Sequence, residues 1–372
     1  MRRTFDYLLI MATLAPLFVF VSQSAGISHM AALGTLLAGI GAAHVFSTTY
    51  LFSDPAIRTF CRTEKYALIA VPLLAVVVSV AALTIAPVGL AFLFVLFFVH
   101  YQTYHYGQQN LGVCSFSSIG TRRRGLSKFE RTTIRLGVLC GVLGTYKILA
   151  PDFLLDRKIF PFNVALTEGP FEYAYWVGAA LYAAIITAAA GHALLHLRAN
   201  PRLATLYVCS VGFFLPMYLA ENFLVAFLSF ATAHGLQYLI FLAFHGAATR
   251  AVKPVAAGLS LFAFIVWLGT WIWTNIGHVV NKSSWTIGHY TNFWIGGEMN
   301  WRIAVGLIFG MTLAHFWFDQ NLWKLRNPER RAWLLEKYPF LTNSPAAGQS
   351  LSVPAVEDEP LSIKDCKRRP AA

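Results

Sequence analysis

The sequence predicts an all-α, polytopic integral membrane protein with about ten transmembrane helices and both termini in the cytoplasm. Hydrophobic residues make up 57% of the 372-residue chain and charged residues only 12%, whereas soluble domains carry about 25% charged residues. Apolar runs of about 20 residues, the length that crosses a bilayer, recur along the chain. Basic residues collect between alternate runs, as the positive-inside rule requires.

The apolar runs divide the chain into ten candidate spans. They cover residues 6–25, 28–50, 66–85, 87–106, 133–150, 172–196, 203–221, 223–246, 255–276 and 301–322. The first run follows Arg2 and Arg3 and ends near small residues, so a signal peptide is the alternative interpretation. Its apolar stretch is long for a signal peptide, which favours an uncleaved first helix.

The distribution of Lys and Arg sets the orientation of the spans. With the N-terminus in the cytoplasm, 24 of the 29 basic residues fall in segments on the cytoplasmic side, including a basic segment at 107–132 that is interpreted as a loop. This bias assigns the net charge of +12 to membrane topology and argues against a nucleic-acid partner. We therefore expect a multi-pass protein of the cell inner (cytoplasmic) membrane.

The chain is predicted to contain one bundle and one tail. Residues 1–340 form the transmembrane helical bundle, and residues 341–372, which mix Pro, Ala, Ser and Gly with short acidic and basic runs, form a disordered cytoplasmic tail. The sequence has no Walker motif, no G-x-G-x-x-G fingerprint and no C-x-x-C spacing among its five cysteines. These absences argue against a nucleotide site and against a disulfide framework.

The histidines follow a pattern along the spans. Eight of the eleven lie on even-numbered spans, in the half predicted to face the cytoplasm, and no odd-numbered span contains one. Ionisable side chains are costly in hydrocarbon and mark functional sites. The pattern predicts helices that converge on one site below the membrane midplane. The eight residues are His44, His100, His105, His192, His196, His234, His245 and His315.

A metal ion is the expected occupant of this site, because several neutral imidazoles suit Zn, Fe, Cu or Ni. Asp319 lies one turn after His315, where it would bind the metal or orient His315, unless it pairs with a basic residue at the surface. His100 and His105 are five residues apart and diverge by about 140° on a regular helix, so one of them is expected to face the site. Depth along the spans ranks His192 and His196 second. The predicted metal ligands are His44, His100, His105, His234, His315 and Asp319.

Polar side chains near the imidazoles are candidates for catalytic roles. Tyr101 and Gln108 belong to the stretch 98–109, where an ordinary membrane helix would carry Leu and Val, and Gln237 follows His234 on the same helix face. We expect these three residues to supply hydrogen bonds at the metal site. The structural alternative is that intramembrane polar residues simply hydrogen-bond neighbouring helices.

His44, His100 and the H-x-x-x-H pair formed by His192 and His196 have a spacing that is similar to that of a known enzyme family. The pattern resembles histidine-rich integral-membrane non-haem iron oxygenases, and its spacing is most similar to that of the Brp/Blh-type bacterial carotene dioxygenases. This resemblance implies an all-helical fold, iron held by dispersed transmembrane histidines together with the H-x-x-x-H pair, and oxidative cleavage of a carotenoid. The membrane desaturases and hydroxylases are a poorer match, because the chain has no H-x-x-H-H box.

The expected function is that of a metal-dependent oxidoreductase or oxygenase with non-haem iron as its cofactor. Its partners would be the lipid bilayer, a hydrophobic small-molecule substrate such as a carotenoid or another lipid, and a redox partner that supplies electrons. Two alternatives stay open. One is a histidine-lined transporter or metal-ion permease, and the other is an electron-transfer subunit that binds haem between the second and fourth spans.

Overall fold

A computed structural model of the protein describes residues 2–24, 44–146, 168–219, 223–250, 252–279, 299–324 and 327–341. Every regular element in these ranges is a helix and none is a strand, which confirms the predicted all-α class. The described residues belong to one unit, Met1–Thr342. The predicted disordered tail lies outside the described residues, apart from Leu341.

The α-helices of the described ranges are numbered in chain order. A helical turn at 44–47 leads into a 3₁₀ helix, Thr48–Ser53, and a π turn, Tyr66–Ala70, leads into α3. The helices are α1 Arg2–Ser24, α2 Pro55–Thr63, α3 Val71–Thr84, α4 Val88–Arg122, α5 Lys128–Gly144, α6 Glu168–His196, α7 Pro201–Val211, α8 Pro216–Leu219, α9 Phe223–Arg250, α10 Pro254–Val279, α11 Met299–Leu322 and α12 Pro328–Lys337.

Helix α4 is longer than the sequence predicted. Residues 107–122, which were expected to begin a loop, continue the helix to Arg122, and Arg123 ends it in the left-handed conformation with φ 60°. No proline interrupts this stretch, and Gly107 lets α4 approach Val138 of α5 closely, so packing continues beyond the apolar run. The connection to α5 spans only residues 123–127, because the capping box of Ser127 and Glu130 starts the next helix.

The count of membrane spans also differs from the prediction. Two helices of the described residues are long and apolar enough to cross a membrane, Tyr66–Thr84 and Glu172–His196. A third span results if Ser229–Arg250 and Pro254–Ile265, which meet at 114°, cross as a broken pair. The described part of the chain therefore offers two or three candidate spans rather than about ten. Helices α5 and α7, with 17 and 11 residues, are shorter than the roughly 20 residues that a span needs.

Helix α11 packs directly on the backbone of α3. A Cβ atom at Gly306 would lie 2.6 Å from Val80 Cα, and one at Gly310 would lie 2.5 Å from Val76 Cα, so only glycine permits this approach. The two glycines form a G-x-x-x-G pattern, which membrane helices use for close contact. This contact fixes the position of α11, which carries His315 and Asp319.

Helix α12 is attached to the N-terminal end of α2 by a group of buried polar contacts. Asp54, which caps α2, accepts hydrogen bonds from Ala56 N at 2.9 Å and Trp333 Nε1 at 3.1 Å, and it lies 3.3 Å from His245 Nε2. Burial alone would raise the pKa of Asp54, but the hydrogen bonds from His245, Ala56 and Trp333 outweigh it and hold the pKa well below its usual range. Lys337 Nζ completes the group at 3.4 Å from Asp54. These contacts tie α12 to the segment that follows His44.

Candidate metal centre

Four helical segments bring five of the predicted metal ligands together. The turn before the 3₁₀ helix contributes one imidazole, α4 and α9 contribute one each, and α11 contributes an imidazole and a carboxylate. All five residues are buried, and none has more than 4% of its surface exposed. We call this group the histidine cluster; it consists of His44, His105, His234, His315 and Asp319.

The imidazole rings of the histidine cluster touch one another. His44 lies between His234 and His315, with ring centroids 4.6 and 4.9 Å away. The ring of His105 lies 4.9 Å from that of His234 and 6.0 Å from that of His315. Ionisable side chains are costly in an apolar environment, so a group of four buried imidazole rings marks a candidate functional site.

Two sets of donor atoms in the cluster are close enough to hold a metal ion. The first set is His44, His234 and His315, and the second is His105, His315 and Asp319. Within each set the ligand atoms all lie within 4.8 Å of one another. His315 belongs to both sets, so the two describe one continuous site. Imidazole nitrogens with a carboxylate oxygen are donors suited to Fe, Zn, Cu or Ni.

Several polar atoms of the cluster lack a hydrogen-bond partner. Both ring nitrogens of His105 and both ring nitrogens of His234 are buried and have none among the described residues. A buried polar group without a partner costs about 1–3 kcal/mol. A bound metal ion would satisfy one nitrogen on each ring. The residues present therefore fit a metal ion.

His315 has a defined environment on both sides of its ring. Its Nδ1 lies 2.6 Å from Thr48 Oγ1, and its Nε2 lies 3.4 Å from Asp319 Oδ2. Thr48 Oγ1 also contacts Tyr238 OH at 3.1 Å. The sequence analysis did not select Thr48 or Tyr238 as site residues. A signal was present, since each lies one helical turn after a cluster histidine, His44 in one case and His234 in the other.

His100 is the predicted ligand that the structure places elsewhere. Its Nδ1 lies 2.6 Å from Leu96 O, its Nε2 lies 3.5 Å from Thr145 Oγ1, and its ring packs on Tyr146 with centroids 5.2 Å apart. The five-residue spacing from His105 explains this outcome, because the two side chains leave α4 in different directions. His105 is the one that faces the cluster.

Gln237 lies behind the cluster in a hydrogen-bonded network. Its Oε1 accepts from Gln109 Nε2 at 2.8 Å, and its Nε2 donates to Asn110 Oδ1 and Thr13 Oγ1, both at 2.8 Å. Gln109 Nε2 also donates to the carbonyl oxygen of His234 at 2.9 Å. The network joins α9 to α4 and α1 and fixes the backbone that carries His234. Gln237 thus supports the cluster through the backbone of α9.

Tyr101 and Gln108, the other two predicted catalytic residues, are half-buried. Tyr101 packs against Phe316 with ring centroids 6.1 Å apart and stacks on Phe97 at 5.6 Å. No hydrogen bond in the described part of the chain joins Gln108 to the cluster. Phe316 in turn stacks on His105, with centroids 3.9 Å apart and ring planes at 19°. Tyr101 therefore lies one aromatic ring away from the imidazoles.

Two further histidine groups lie apart from the cluster. His192 and His196 pack on each other, with centroids 4.8 Å apart, and His192 Nε2 lies 3.4 Å from Glu130 Oε1. The H-x-x-x-H pair is therefore placed beside a carboxylate that already accepts from Arg122. His245 belongs to the contacts around Asp54. Neither group shares a donor set with the histidine cluster within the described ranges.

The histidine cluster thus combines buried imidazoles, one carboxylate and apolar ring walls. The ring of Phe316 covers His105, and the ring of Tyr106 lies 4.6 Å from that of His234. Such walls exclude water and strengthen the electrostatic interactions within the site. No family model, no curated protein and no solved structure matches this chain.

Proposed function

We propose that this protein is a membrane-embedded, metal-dependent oxidoreductase that uses non-haem iron and acts on a lipid-soluble substrate. One observation carries the proposal: His105, His315 and Asp319 place two imidazoles and one carboxylate within 4.8 Å. Two histidines and a carboxylate with open coordination positions are typical of non-haem Fe(II) oxygenases. When bound, iron would bind and activate O₂, and a redox partner would supply electrons.

The residues around the ion would have separate tasks. His105, His315 and Asp319 would hold it, with His44 or His234 as a further ligand from the neighbouring donor set. The hydrogen-bond network of Gln237 would keep α9 in register with α4, so that the donor atoms stay in place without a metal. Supporting residues of this kind commonly change metal affinity or activity by about 10–100-fold when they are replaced.

The aromatic residues beside His105 suggest how an apolar substrate reaches the site. The ring of Phe316 covers His105, and the ring of Tyr101 packs on Phe316. The rings of Phe97 and Tyr104 both stack on Tyr101 and reach the surface, where they are 54% and 44% exposed. This row of rings runs between α4 and α11. A lipid-soluble molecule would approach along it from the hydrocarbon and would need no water-filled channel.

The membrane location and topology are part of the same proposal. We expect a multi-pass inner-membrane protein with both termini in the cytoplasm. Segments that the charge bias assigns to the cytoplasm contact one another: Arg2 donates to Thr121 at 2.6 Å, and Arg330 donates to Glu64 at 2.8 Å. Large apolar side chains such as Leu73 and Val77 of α3 are more than 60% exposed, as a lipid-facing surface requires.

The packing of the cluster does not favour the haem alternative. A haem held by two histidines needs its flat macrocycle to lie between the two imidazoles. The nearest ring pairs, including His44 and His234 at 4.6 Å, meet edge to face, and Phe316 already stacks on His105 at 3.9 Å. The transporter alternative would need the imidazoles to be reachable from one side, whereas all five cluster residues are buried.

Metal analysis of the full chain tests the proposal. The protein is purified in detergent and loaded anaerobically with Fe²⁺, and its iron content is measured by mass spectrometry. Consumption of O₂ is then followed with extracted membrane lipids and an added chemical reductant in place of the redox partner. We expect about one iron per chain, and near-complete loss of iron when His105→Ala and His234→Ala are combined. The matched controls are His100→Ala and His192→Ala, which remove imidazoles outside the cluster and should retain iron.

Two results would contradict the proposal. The first is a doubly substituted protein that binds iron as well as the wild type, which would make the cluster structural. The second is iron bound normally together with metal-dependent transport into vesicles and no consumption of O₂, which would favour the permease. For topology, a tag between the fifth and sixth candidate spans that is reachable from the cytoplasm would overturn the predicted orientation.

A further inference from the structure

A chain of polar contacts connects three elements behind His315. Thr48 Oγ1, in the 3₁₀ helix, lies 2.6 Å from His315 Nδ1 of α11 and 3.1 Å from Tyr238 OH of α9. Thr48 is 7% exposed and Tyr238 is 2% exposed, so water does not compete for these contacts.

The contacts of His315 assign its hydrogen once a metal ion is bound at Nε2. A ring nitrogen that binds a metal carries no hydrogen, so the hydrogen of the neutral imidazole lies on Nδ1. His315 Nδ1–H then donates to Thr48 Oγ1 at 2.6 Å. The Thr48 hydroxyl keeps its own hydrogen for Tyr238 OH at 3.1 Å.

The other ring nitrogen of His315 faces the carboxylate of Asp319. His315 Nε2 and Asp319 Oδ2 lie 3.4 Å apart in a buried site. His315 and Asp319 belong to the same donor set, so one metal ion would be held by both.

We propose that Thr48 and Tyr238 are positioning residues that select the tautomer of His315 and present its Nε2, together with Asp319, to the metal ion. The inference rests on the proposed metal centre. The ring of Tyr238 adds a steric component, because it meets the His315 ring edge to face at 5.1 Å with an interplanar angle of 89°. In metal sites generally, a histidine that binds the metal through one ring nitrogen is held in place by a hydrogen bond from its other ring nitrogen.

Binding of Co²⁺ to the purified, metal-stripped full-length protein tests this inference. Co²⁺ alone is titrated anaerobically, and both the dissociation constant and the visible absorption spectrum of the bound ion are recorded. We expect Thr48→Val and Tyr238→Phe to weaken binding by about 10–100-fold and to change the spectrum, since His315 can then turn. Thr48→Ser retains the hydroxyl and should restore both the affinity and the spectrum.

A second Thr–Tyr pair provides the matched control. Thr133 Oγ1 and Tyr207 OH lie 2.6 Å apart and are buried, but they are away from the histidine cluster. Tyr207→Phe removes a similar hydrogen bond and should leave Co²⁺ affinity and the spectrum unchanged. If Tyr207→Phe weakens binding as much as Tyr238→Phe does, the effect comes from general destabilisation and the inference is wrong.

The outcomes separate this inference from the proposed function. If Thr48→Val and Tyr238→Phe both bind Co²⁺ like the wild type while His315→Ala weakens binding, the metal centre stands and the positioning role is refuted. If His315→Ala and His234→Ala also bind Co²⁺ like the wild type, the proposed metal centre itself fails. Should Thr48→Val not fold, as judged by size-exclusion chromatography, the Tyr238→Phe result alone decides.

Discussion

The imidazole rings of His44 and His234 meet edge to face, with centroids 4.6 Å apart and planes at 85°. His44 lies in the turn before the 3₁₀ helix, whereas His234 lies within α9, so the contact joins distant parts of the chain. Each ring brings polar nitrogens into a space that water does not reach. The metal that is proposed to bind them should therefore contribute to the stability of the protein as well as to its chemistry.

Metal removal is predicted to destabilise the protein, and His234→Leu is predicted to recover part of the loss. Both ring nitrogens of His234 lack hydrogen bonds among the described residues, at a cost of about 1–3 kcal/mol each. An apolar side chain of similar size removes this cost. Conversely, free metal at 100 times its dissociation constant stabilises the wild type by about 2.7 kcal/mol.

The measurement is the thermal unfolding midpoint of chelated and metal-loaded protein. The metal-free His234→Leu variant should unfold at a higher temperature than metal-free wild type and should gain less from added metal. The control is His100→Leu, which loses the contacts of His100 with Leu96 O and Thr145 and should gain nothing in either state. A metal-free His234→Leu variant that is less stable than wild type would refute this account.

Gly310→Ala is predicted to destabilise the protein and to weaken metal binding at the same time. The added Cβ would lie 2.5 Å from the Cα atom of Val76, and backbone cannot move aside cheaply. Overpacking of this kind costs about 1–3 kcal/mol. Because α11 carries His315 and Asp319, a shift of this helix also displaces two donor atoms. Thermal unfolding and Co²⁺ titration of the same preparation measure both effects.

Gly112→Ala is the matched substitution for that experiment. A Cβ atom at Gly112 of α4 meets nothing within 4 Å. Alanine is favoured over glycine inside a helix by about 1 kcal/mol, so this variant should be as stable as wild type or more stable, with unchanged metal affinity. A Gly310→Ala variant that behaves like Gly112→Ala would show that α3 and α11 do not pack as described.

Most of the histidine cluster could be predicted from the sequence, because an ionisable residue within an apolar run is recognisable without any knowledge of the fold. His44, His105, His234 and His315 stand out among apolar neighbours, and the helical period places Asp319 beside His315. The choice between His100 and His105 was not accessible, because it depends on the rotation of α4 about its axis. Packing sets that rotation, chiefly where Gly107 meets Val138 of α5.

Other features depend on contacts between segments that are distant in sequence. Thr48 and Tyr238 each lie one helical turn after a cluster histidine, but that spacing does not show that both contact His315, and only the fold brings them to it. The length of α4 was underestimated because the apolar run ends near residue 106, whereas tertiary packing on polar and small residues extends the helix to Arg122. Hydropathy describes where a helix meets lipid, and it carries little information about where the helix ends.

Glu64→Gln is predicted to destabilise the attachment of α12 more than Arg330→Met does. The Arg330 guanidinium is buried, donates to Glu64 Oε1 at 2.8 Å and lies 3.5 Å from the ring centroid of Phe60. Removing Glu64 leaves a buried charge without its partner, which costs about 3–5 kcal/mol in a fully buried pair. Since Glu64 is 39% exposed, we expect a smaller loss. The Arg330→Met variant fills the same space with an uncharged side chain, so it leaves no buried charge without a partner.

The readout is limited proteolysis around α12 together with the thermal unfolding midpoint. Faster cleavage of Glu64→Gln than of Arg330→Met is the expected order. Glu336→Gln serves as the control, because Glu336 is 74% exposed and an exposed pair with Lys337 contributes only about 0–1 kcal/mol. The reverse order, with Arg330→Met cleaved faster, would mean that the charge itself holds α12 in place.

Glu130 is predicted to make the stability of the protein fall in acid. It lies in the first turn of α5, outside the predicted spans, where Arg122 donates to both of its carboxylate oxygens at 2.8 Å. Burial alone would raise the pKa of Glu130, but the hydrogen bonds from Arg122 and Ser127 outweigh it and hold the pKa at about 2. The ordinary value is 4.5. A group whose folded pKa is lowered contributes stability above its unfolded pKa.

The contribution of Glu130 should therefore be complete above pH 4.5 and should disappear as the pH falls towards 2. Unfolding midpoints of wild type measured from pH 6 down to about pH 3 should decrease, and Glu130→Gln should start lower and change less over this interval. Arg122→Gln should flatten the profile in the same way, because it removes the group that keeps Glu130 ionised. If both variants follow the wild-type slope, the pair carries no pH-dependent stability, and the connection between α4 and α5 is held by the Ser127 capping box and apolar packing alone.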